Sequence, residues 1–168
     1  MPGADRVAFD ALFEDVRKVL RDERPRDERL LSVCELMKKR VPHYDWVGFY
    51  LREPPLVGAR HAVPADTVPV LVLGPYAGEP TEHTRIAFGR GICGQAAERK
   101  ETFVAPDVSK ETGYLSCSAK VKSEIVVPIL KHGEVAGEID VDSHTIDPFG
   151  DGDRAFLERV ASEVANVL

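Results

Sequence analysis

Cysteine is scarce in this sequence, and the spacing of the few cysteines is not that of a disulfide framework or a structural zinc site. The 168 residues contain three, Cys34, Cys93 and Cys117, and no two of them form a CxxC pair. An odd and small number argues against a disulfide framework and against a structural zinc site. His83 has no histidine partner at HxH or HxxxH spacing. We therefore expect free thiols, no metal and no cofactor.

Long hydrophobic runs and an excess of basic residues are also missing. No apolar run approaches the roughly 20 residues of a membrane span. The charged start of the chain lacks the apolar core of a signal peptide. The net charge of −6 argues against a basic stripe for a nucleic acid. These absences predict a cytoplasmic protein with neither a membrane nor a nucleic-acid partner.

The chain has the length of one domain and two kinds of hydrophobic periodicity. We expect a single domain over residues 1–168, with N-terminal helices in 1–40, a sheet with its pocket in 41–150 and a C-terminal helix in 151–168. The spacing predicts helices at 7–20, 27–40 and 92–99, and strands at 46–51, 70–73, 84–88, 102–105, 124–130 and 134–142. Hairpin-linked strands with helices at the chain ends indicate an α+β fold on an antiparallel sheet.

A glycine-rich segment at residues 89–94 follows a predicted strand and matches the GxGxxG pattern of dinucleotide-binding turns. The two strands around it lie within the 22 residues 84–105, whereas a βαβ unit takes about 30. We therefore interpret the segment as a tight strand-to-helix turn that needs small residues and positive φ angles. The turn places Cys93 in the first turn of a helix, where the dipole favours a thiolate.

Acidic side chains share one face of a predicted strand, and two aromatic side chains share a face of another. Asp140 and Asp142 are two residues apart, so both point to one face, and Glu124 begins the neighbouring apolar strand. Crowded carboxylates raise one another's pKa, so one can stay protonated while others bind an ammonium group. The alternative is a solvated strand face. Trp46 and Tyr50 also share a face, as pocket walls or as core aromatics.

The three cysteines differ in their surroundings. Cys34 falls in the apolar stripe of the second helix, which predicts a buried core residue. Cys117 falls in a polar loop, where the ammonium groups of Lys120 and Lys122 would lower its pKa if they face it. Cys117 is therefore the first candidate for a reactive thiol, and an inert loop cysteine is the alternative.

Six short blocks, taken in this order and spacing, resemble the GAF-domain free methionine-(R)-sulfoxide reductases. The blocks are DWVGFY at 45–50, LGPY at 73–76, FGRGICG at 88–94, LSC at 115–117, SEIVVP at 123–128 and IDVDS at 139–143. The resemblance spans residues 40–165. It implies a six-stranded antiparallel sheet with helices packed on it, and a homodimer.

The resemblance also implies roles for individual residues. The family reduces free L-methionine (R)-sulfoxide with a nucleophilic cysteine that corresponds to Cys117, and its GRGxCG cysteine corresponds to Cys93. The family's pocket walls correspond to Trp46 and Tyr50, and the carboxylates Glu124, Asp140 and Asp142 gain a substrate-binding role. The family's third cysteine falls at position 83, which is His83 here. Cys93 is then the only plausible resolving thiol, and a thioredoxin-like reductant is the expected partner.

Two other functions fit the same residues. A GAF sensor domain without catalysis would bind a small amino-acid-like ligand in this pocket. A redox sensor would form a reversible disulfide between Cys93 and Cys117 with no substrate. A disulfide requires the two Cα atoms to lie within about 7 Å or a loop that is free to move.

Overall fold

The structure is a computed structural model that describes residues 2–54, 67–115 and 118–168, with side chains from residue 8 onward. One predicted site residue, the candidate reactive thiol Cys117, lies outside these ranges. The described elements, in chain order, are α1 (Pro2–Leu20), α2 (Arg26–Arg40), β1 (Trp46–Arg52), β2 (Val70–Ala77), β3 (Arg85–Ala87), α3 (Gly91–Arg99), β4 (Phe103–Ala105), a 3-10 turn (Val108–Lys110), β5 (Ser123–Lys131), β6 (Glu134–Ser143) and α4 (Asp151–Val164).

The six strands form one antiparallel sheet in the order β3-β2-β1-β6-β5-β4. The helices α1, α2 and α4 pack on one side of it, and α3 packs on the other. The predicted α+β fold, a six-stranded antiparallel sheet carrying the N- and C-terminal helices, is confirmed. None of the helices in the described ranges is long and apolar enough to cross a membrane.

The alternation of side chains along the strands divides the interior into two cores. Val47, Ile125, Ile139 and Val141 point towards α1, α2 and α4, where the larger apolar core lies. The side chains between them in sequence point towards α3, where a smaller core is interleaved with acidic groups. The second side of the sheet therefore holds the candidate site, while the first side provides most of the apolar burial.

The second helix illustrates how the larger core is built. Leu30, Val33, Cys34 and Met37 recur at helical spacing and are all completely buried. Acidic residues occupy the first turn of α2 and basic residues the last, which is the favourable arrangement for the helix dipole. The prediction that Cys34 is a core residue is confirmed; its thiol donates to the Pro75 carbonyl oxygen at 3.6 Å.

The second strand is longer than predicted. The Gly-Pro pair at 74–75 indicated an end at Leu73, but β2 continues to Ala77. Two residues, Gly74 and Pro75, stand opposite Phe49 alone, because Gly48 pairs with Tyr76 and Tyr50 pairs with Leu73. Such a β-bulge tolerates proline because the extra residue leaves the hydrogen-bonded ladder.

The turn between β5 and β6 is the predicted two-residue hairpin. His132 and Gly133 have φ angles of 53° and 77°, so both adopt the left-handed conformation that a tight hairpin turn of this kind requires. Lys131 pairs with Glu134 directly beside the turn. A one-residue irregularity between Ile129 and Leu130 then shifts the register, and beyond it Glu124 stands opposite Asp142.

Candidate active site

The candidate site begins with a row of carboxylates across neighbouring strands. Asp142 on β6 pairs with Glu124 on β5 and with Trp46 on β1, so the three side chains share one face. Asp140 follows two residues away on the same face. Each of the three carboxylates is at most 5% exposed. The alternative of a solvated strand face is therefore wrong.

A fourth carboxylate, Glu138, belongs to the same row and was not among the predicted site residues. It lies opposite Tyr50 on β1 and Pro128 on β5, and its side chain is fully buried. The signal was present in the sequence, because residues 138, 140 and 142 alternate on one face of a strand. Four carboxylates, Glu124, Glu138, Asp140 and Asp142, therefore lie in the core on the α3 side of the sheet.

These carboxylates are costly to ionise in this position. Burial raises the pKa of Asp142 and of Glu138 well above the ordinary range, and the nearby charge of Asp140 raises both further. Burial also raises the pKa of Asp140, while hydrogen bonds to Glu124 and Cys93 act in the opposite direction. Within the described residues, no hydrogen-bond partner meets either carboxylate oxygen of Asp142 or Glu138, or Oδ1 of Asp140. Unpartnered buried carboxylates indicate a binding site rather than a stabilising feature.

Cys93, in the first turn of α3, lies against this row of carboxylates. It is 5% exposed, and its thiol donates to Oε1 of Glu124 at 3.6 Å. Burial raises the pKa of Cys93 well above its usual range, and the charges of Asp140, Glu138 and Glu124 add to the effect. The prediction that the helix dipole favours an accessible thiolate at Cys93 is wrong, because burial beside carboxylates outweighs the dipole. Cys93 is held as a protonated thiol in this conformation.

The glycine-rich turn explains why Cys93 reaches the sheet. Gly89 and Gly91 have φ angles of 88° and 61°, which confirms the predicted tight turn with positive φ. A Cβ atom on Gly94 would lie 2.5 Å from the Ala87 carbonyl oxygen. Glycine at these positions therefore allows α3 to approach the end of β3 closely and places Cys93 over the carboxylates.

The two predicted aromatic residues, Trp46 and Tyr50, form a wall along one side of the carboxylate row. The indole of Trp46 stacks on Tyr76 with ring centroids 5.3 Å apart, and its Nε1 donates to the Glu79 carbonyl oxygen at 3.0 Å. The hydroxyl of Tyr50 donates to the His83 carbonyl oxygen at 2.9 Å. Both rings lie on the carboxylate face, so the bulge that carries Tyr76 next to Trp46 also shapes this wall.

A cavity of about 10 Å³ lies between α3 and the carboxylates. This is about the space that one water molecule needs. Its described lining residues are Tyr50, His83, Ile86, Arg90, Gly91, Ile92, Cys93, Leu115, Glu124 and Asp140. An amino-acid-sized ligand needs a larger space, so these side chains must separate when such a ligand binds.

Described residues lie on both sides of positions 116 and 117. Leu115 lines the cavity and packs against Gly91, and Lys120 forms an ion pair with Glu79 at 2.7 Å. Glu79 in turn accepts the Trp46 hydrogen bond through its backbone. The predicted effect of Lys120 on the Cys117 thiol stays a prediction, since Cys117 lies outside the described residues.

Comparison with known proteins identifies the family. A family model of the GAF domain matches residues 25–168. GAF domain-containing protein A of Dictyostelium discoideum is 34% identical over 98% of this chain and 94% of its own length. The free methionine-R-sulfoxide reductase of Escherichia coli is 33% identical over 83% of this chain and 75% of its own. The chain belongs to the GAF-domain family of free methionine-R-sulfoxide reductases.

A solved structure of the same family supports the architecture. The free methionine-R-sulfoxide reductase of Neisseria meningitidis, determined in complex with its substrate, superposes with a TM-score of 0.80 at 31% identity. The match covers 94% of this chain and 86% of that one. The resemblance stated from the six sequence blocks is thereby confirmed, as is the GAF fold.

Within this family fold, the structure brings six of the seven predicted site residues to one place. Cys93, Trp46, Tyr50, Glu124, Asp140 and Asp142 all contribute to the α3 side of the sheet. The seventh, Cys117, lies outside the described residues. His83 also lines the cavity.

Proposed function

We propose that this chain reduces free methionine-(R)-sulfoxide to methionine. The observation that carries the proposal is the row of buried, partly unpartnered carboxylates beneath the aromatic wall of Trp46 and Tyr50. A family relative carries the name of this activity, and a structural relative was determined with its substrate. The proposed substrate is small, carries an ammonium group and has an apolar methyl end, which matches both parts of this site.

The carboxylates are the proposed ammonium site. Asp142 and Glu124 stand directly opposite each other, so one ammonium group can reach both. Its positive charge offsets the cost of ionising buried carboxylates and provides the hydrogen bonds that the Asp142 oxygens lack within the described residues. A methionine sulfoxide inside a peptide has an amide nitrogen without charge. We therefore expect selectivity for the free amino acid.

The proposed chemistry uses two thiols and one external reductant. The Cys117 thiolate attacks the sulfoxide sulfur, and the oxygen is transferred so that methionine leaves and Cys117 becomes a sulfenic acid. The thiol of Cys93 then attacks that sulfenic acid, which releases water and forms a disulfide. A thioredoxin-like dithiol reduces this disulfide and is itself oxidised.

The departing oxygen needs a proton, and the carboxylate row is the proposed source. One carboxylate oxygen of Asp140 lies within 4.8 Å of one of Glu124. Burial raises the pKa of Asp140 to about 6, so this carboxyl holds a proton to higher pH than an exposed aspartate does. A protonated carboxyl therefore lies within the site itself.

Cys93 is the proposed resolving thiol because His83 takes the position of the usual third cysteine. The Cys93 thiol is buried beside Glu124, so it must become accessible before it can attack oxidised Cys117. We further propose that the domain spans residues 1–168, and that the protein works as a homodimer in the cytoplasm.

A coupled assay tests the proposed function. The protein is incubated with free methionine-(R)-sulfoxide, thioredoxin, thioredoxin reductase and NADPH, and the methionine formed is measured. We expect repeated turnover, and no turnover with a peptide that contains methionine sulfoxide. Tight binding of the free amino acid without any methionine formed would instead identify a sensor domain, the alternative that His83 favours.

A further inference from the structure

Three metal-ligating atoms meet in the cavity under α3. The Cys93 sulfur and one carboxylate oxygen each of Glu124 and Asp140 lie within 4.8 Å of one another. They come from α3, β5 and β6, so three separate elements converge on one point, and all three residues are buried. No sequence spacing shows this set, because the residues are 31 and 16 positions apart in the chain.

Buried carboxylate oxygens without a partner favour a cation at this place. Glu138 is completely buried, and neither of its carboxylate oxygens has a hydrogen-bond partner within the described residues. Its charge raises the pKa of the Cys93 thiol, so it adds to the negative potential around the three ligand atoms. Oδ1 of Asp140 is likewise buried and unpartnered there. A bound cation would offset this negative potential and provide a partner for Oδ1 of Asp140.

We propose that Cys93, Glu124 and Asp140 bind one divalent transition-metal ion of the zinc type. One sulfur and two oxygens occupy three of the four positions of a tetrahedral zinc site and leave the fourth open, as in zinc sites with three protein ligands. The thiolate favours zinc over magnesium or calcium, which prefer oxygen ligands alone. The cavity of about 10 Å³ suits a single ion and is too small for an amino acid.

Binding exchanges protons for the metal. The Cys93 thiol loses its proton as the metal–sulfur bond forms, and Glu124 and Asp140 bind as carboxylates, so any proton that they hold is released as well. The released protons pass to the solvent. No oxidation or reduction takes place, and the metal carries the positive charge that neutralises the group.

The metal occupies the place that the proposed function assigns to the substrate ammonium group and the resolving thiol. Zinc and free methionine-(R)-sulfoxide therefore compete, and zinc inhibits the reductase; this part rests on the proposed function. The metal site itself rests on the geometry of the three side chains and is tested without any turnover.

The test uses Co²⁺ as a spectroscopic probe on the reduced chain of 168 residues, after removal of metals with a chelator. We expect one equivalent of Co²⁺ per chain and a thiolate-to-cobalt charge-transfer band, with Zn²⁺ displacing the Co²⁺. Loss of even an outer-shell partner of a metal ligand costs 10–100-fold in affinity. C93S should therefore remove the band and lower Zn²⁺ affinity by at least about 100-fold.

Three matched variants decide the assignment. C34A, in the other core, and C117S should both keep the band, while D140N should weaken Zn²⁺ binding with every thiol still present. The proposal is overturned if wild type shows no band, if the band survives in C93S, or if C117S removes it. Should C93S not fold, unchanged Zn²⁺ affinity in D140N overturns it. A Co²⁺ site that free methionine-(R)-sulfoxide does not displace supports the metal site and counts against the proposed function.

Discussion

At the scale of single residues, the three thiols have different environments and therefore different expected roles. C117S should abolish methionine formation, because a serine hydroxyl is a far weaker nucleophile than a thiolate. The thermal midpoint should stay close to that of wild type. Turnover by C117S at the wild-type rate would exclude Cys117 as the nucleophile.

Cys34 provides the matched control for that substitution. Its side chain is completely buried on the helix side of the sheet, away from the carboxylates. C34A should lower the free energy of unfolding by about 1–3 kcal/mol, as is typical of core truncations. Its kcat per folded molecule should equal that of wild type. A loss of turnover without a loss of stability would contradict this assignment.

Cys93 should separate the first chemical step from the second. C93S should form one methionine per chain and then stall, since the sulfenic acid on Cys117 has no thiol to resolve it. A dimedone-type reagent should label the stalled protein, and mass spectrometry should place the label on Cys117. Normal turnover by C93S with thioredoxin would mean that the reductant attacks Cys117 directly.

The Asp142 carboxylate is expected to strengthen substrate binding and to lower the stability of the folded chain. The folded chain holds this carboxyl proton to higher pH than the unfolded chain, whose value is the ordinary 3.8. The folded state therefore binds more protons above that pH, and stability falls as pH rises through the window up to the raised pKa. D142N removes this cost and should stabilise the protein at pH 8 by about 1–4 kcal/mol, while weakening substrate binding.

Thermal unfolding from pH 4 to pH 8, with a chelator present, measures the effect. The stability difference between D142N and wild type should grow as the pH rises. D147N, an exposed aspartate in the loop after β6, should show no such trend. A D142N protein that is less stable than wild type at every pH would disprove the cost of the buried charge.

At the scale of elements, the close approach of α3 to the end of β3 positions Cys93. G94A should place a methyl group against the Ala87 carbonyl oxygen, and the backbone at Ala87 would have to shift to relieve the clash. We expect a loss of about 1–3 kcal/mol in stability and a marked loss of turnover. G152A in α4 is the control, because its Cβ would meet only Phe9 at ordinary contact distance. Equal behaviour of the two variants in unfolding and turnover assays would remove the packing argument.

The elements also show what the sequence could and could not predict. Strand alternation predicted that Asp140 and Asp142 share a face, and the same rule would have found Glu138. The hairpin at His132 was evident from local turn chemistry. The thiol state of Cys93 was not, because it depends on how deeply α3 packs against β5 and β6. The bulge at Gly74 and Pro75 also depends on the neighbouring strand, which no local pattern reveals.

At the scale of the whole molecule, one side of the sheet provides most of the apolar burial and the other holds the candidate site. One side buries apolar residues from α1, α2 and α4, and the other carries four buried carboxylates and a thiol. The apolar side must therefore offset the cost of the acidic side. This division explains how the fold can retain a site whose charges oppose folding.

The most direct test of the proposed reductase is a single turnover without any external reductant. The fully reduced chain is mixed with excess free methionine-(R)-sulfoxide and quenched over time, and methionine is counted per chain. We expect one methionine per chain, together with the loss of two thiols, at Cys93 and Cys117. A wild-type chain that binds the sulfoxide but forms no methionine would contradict it.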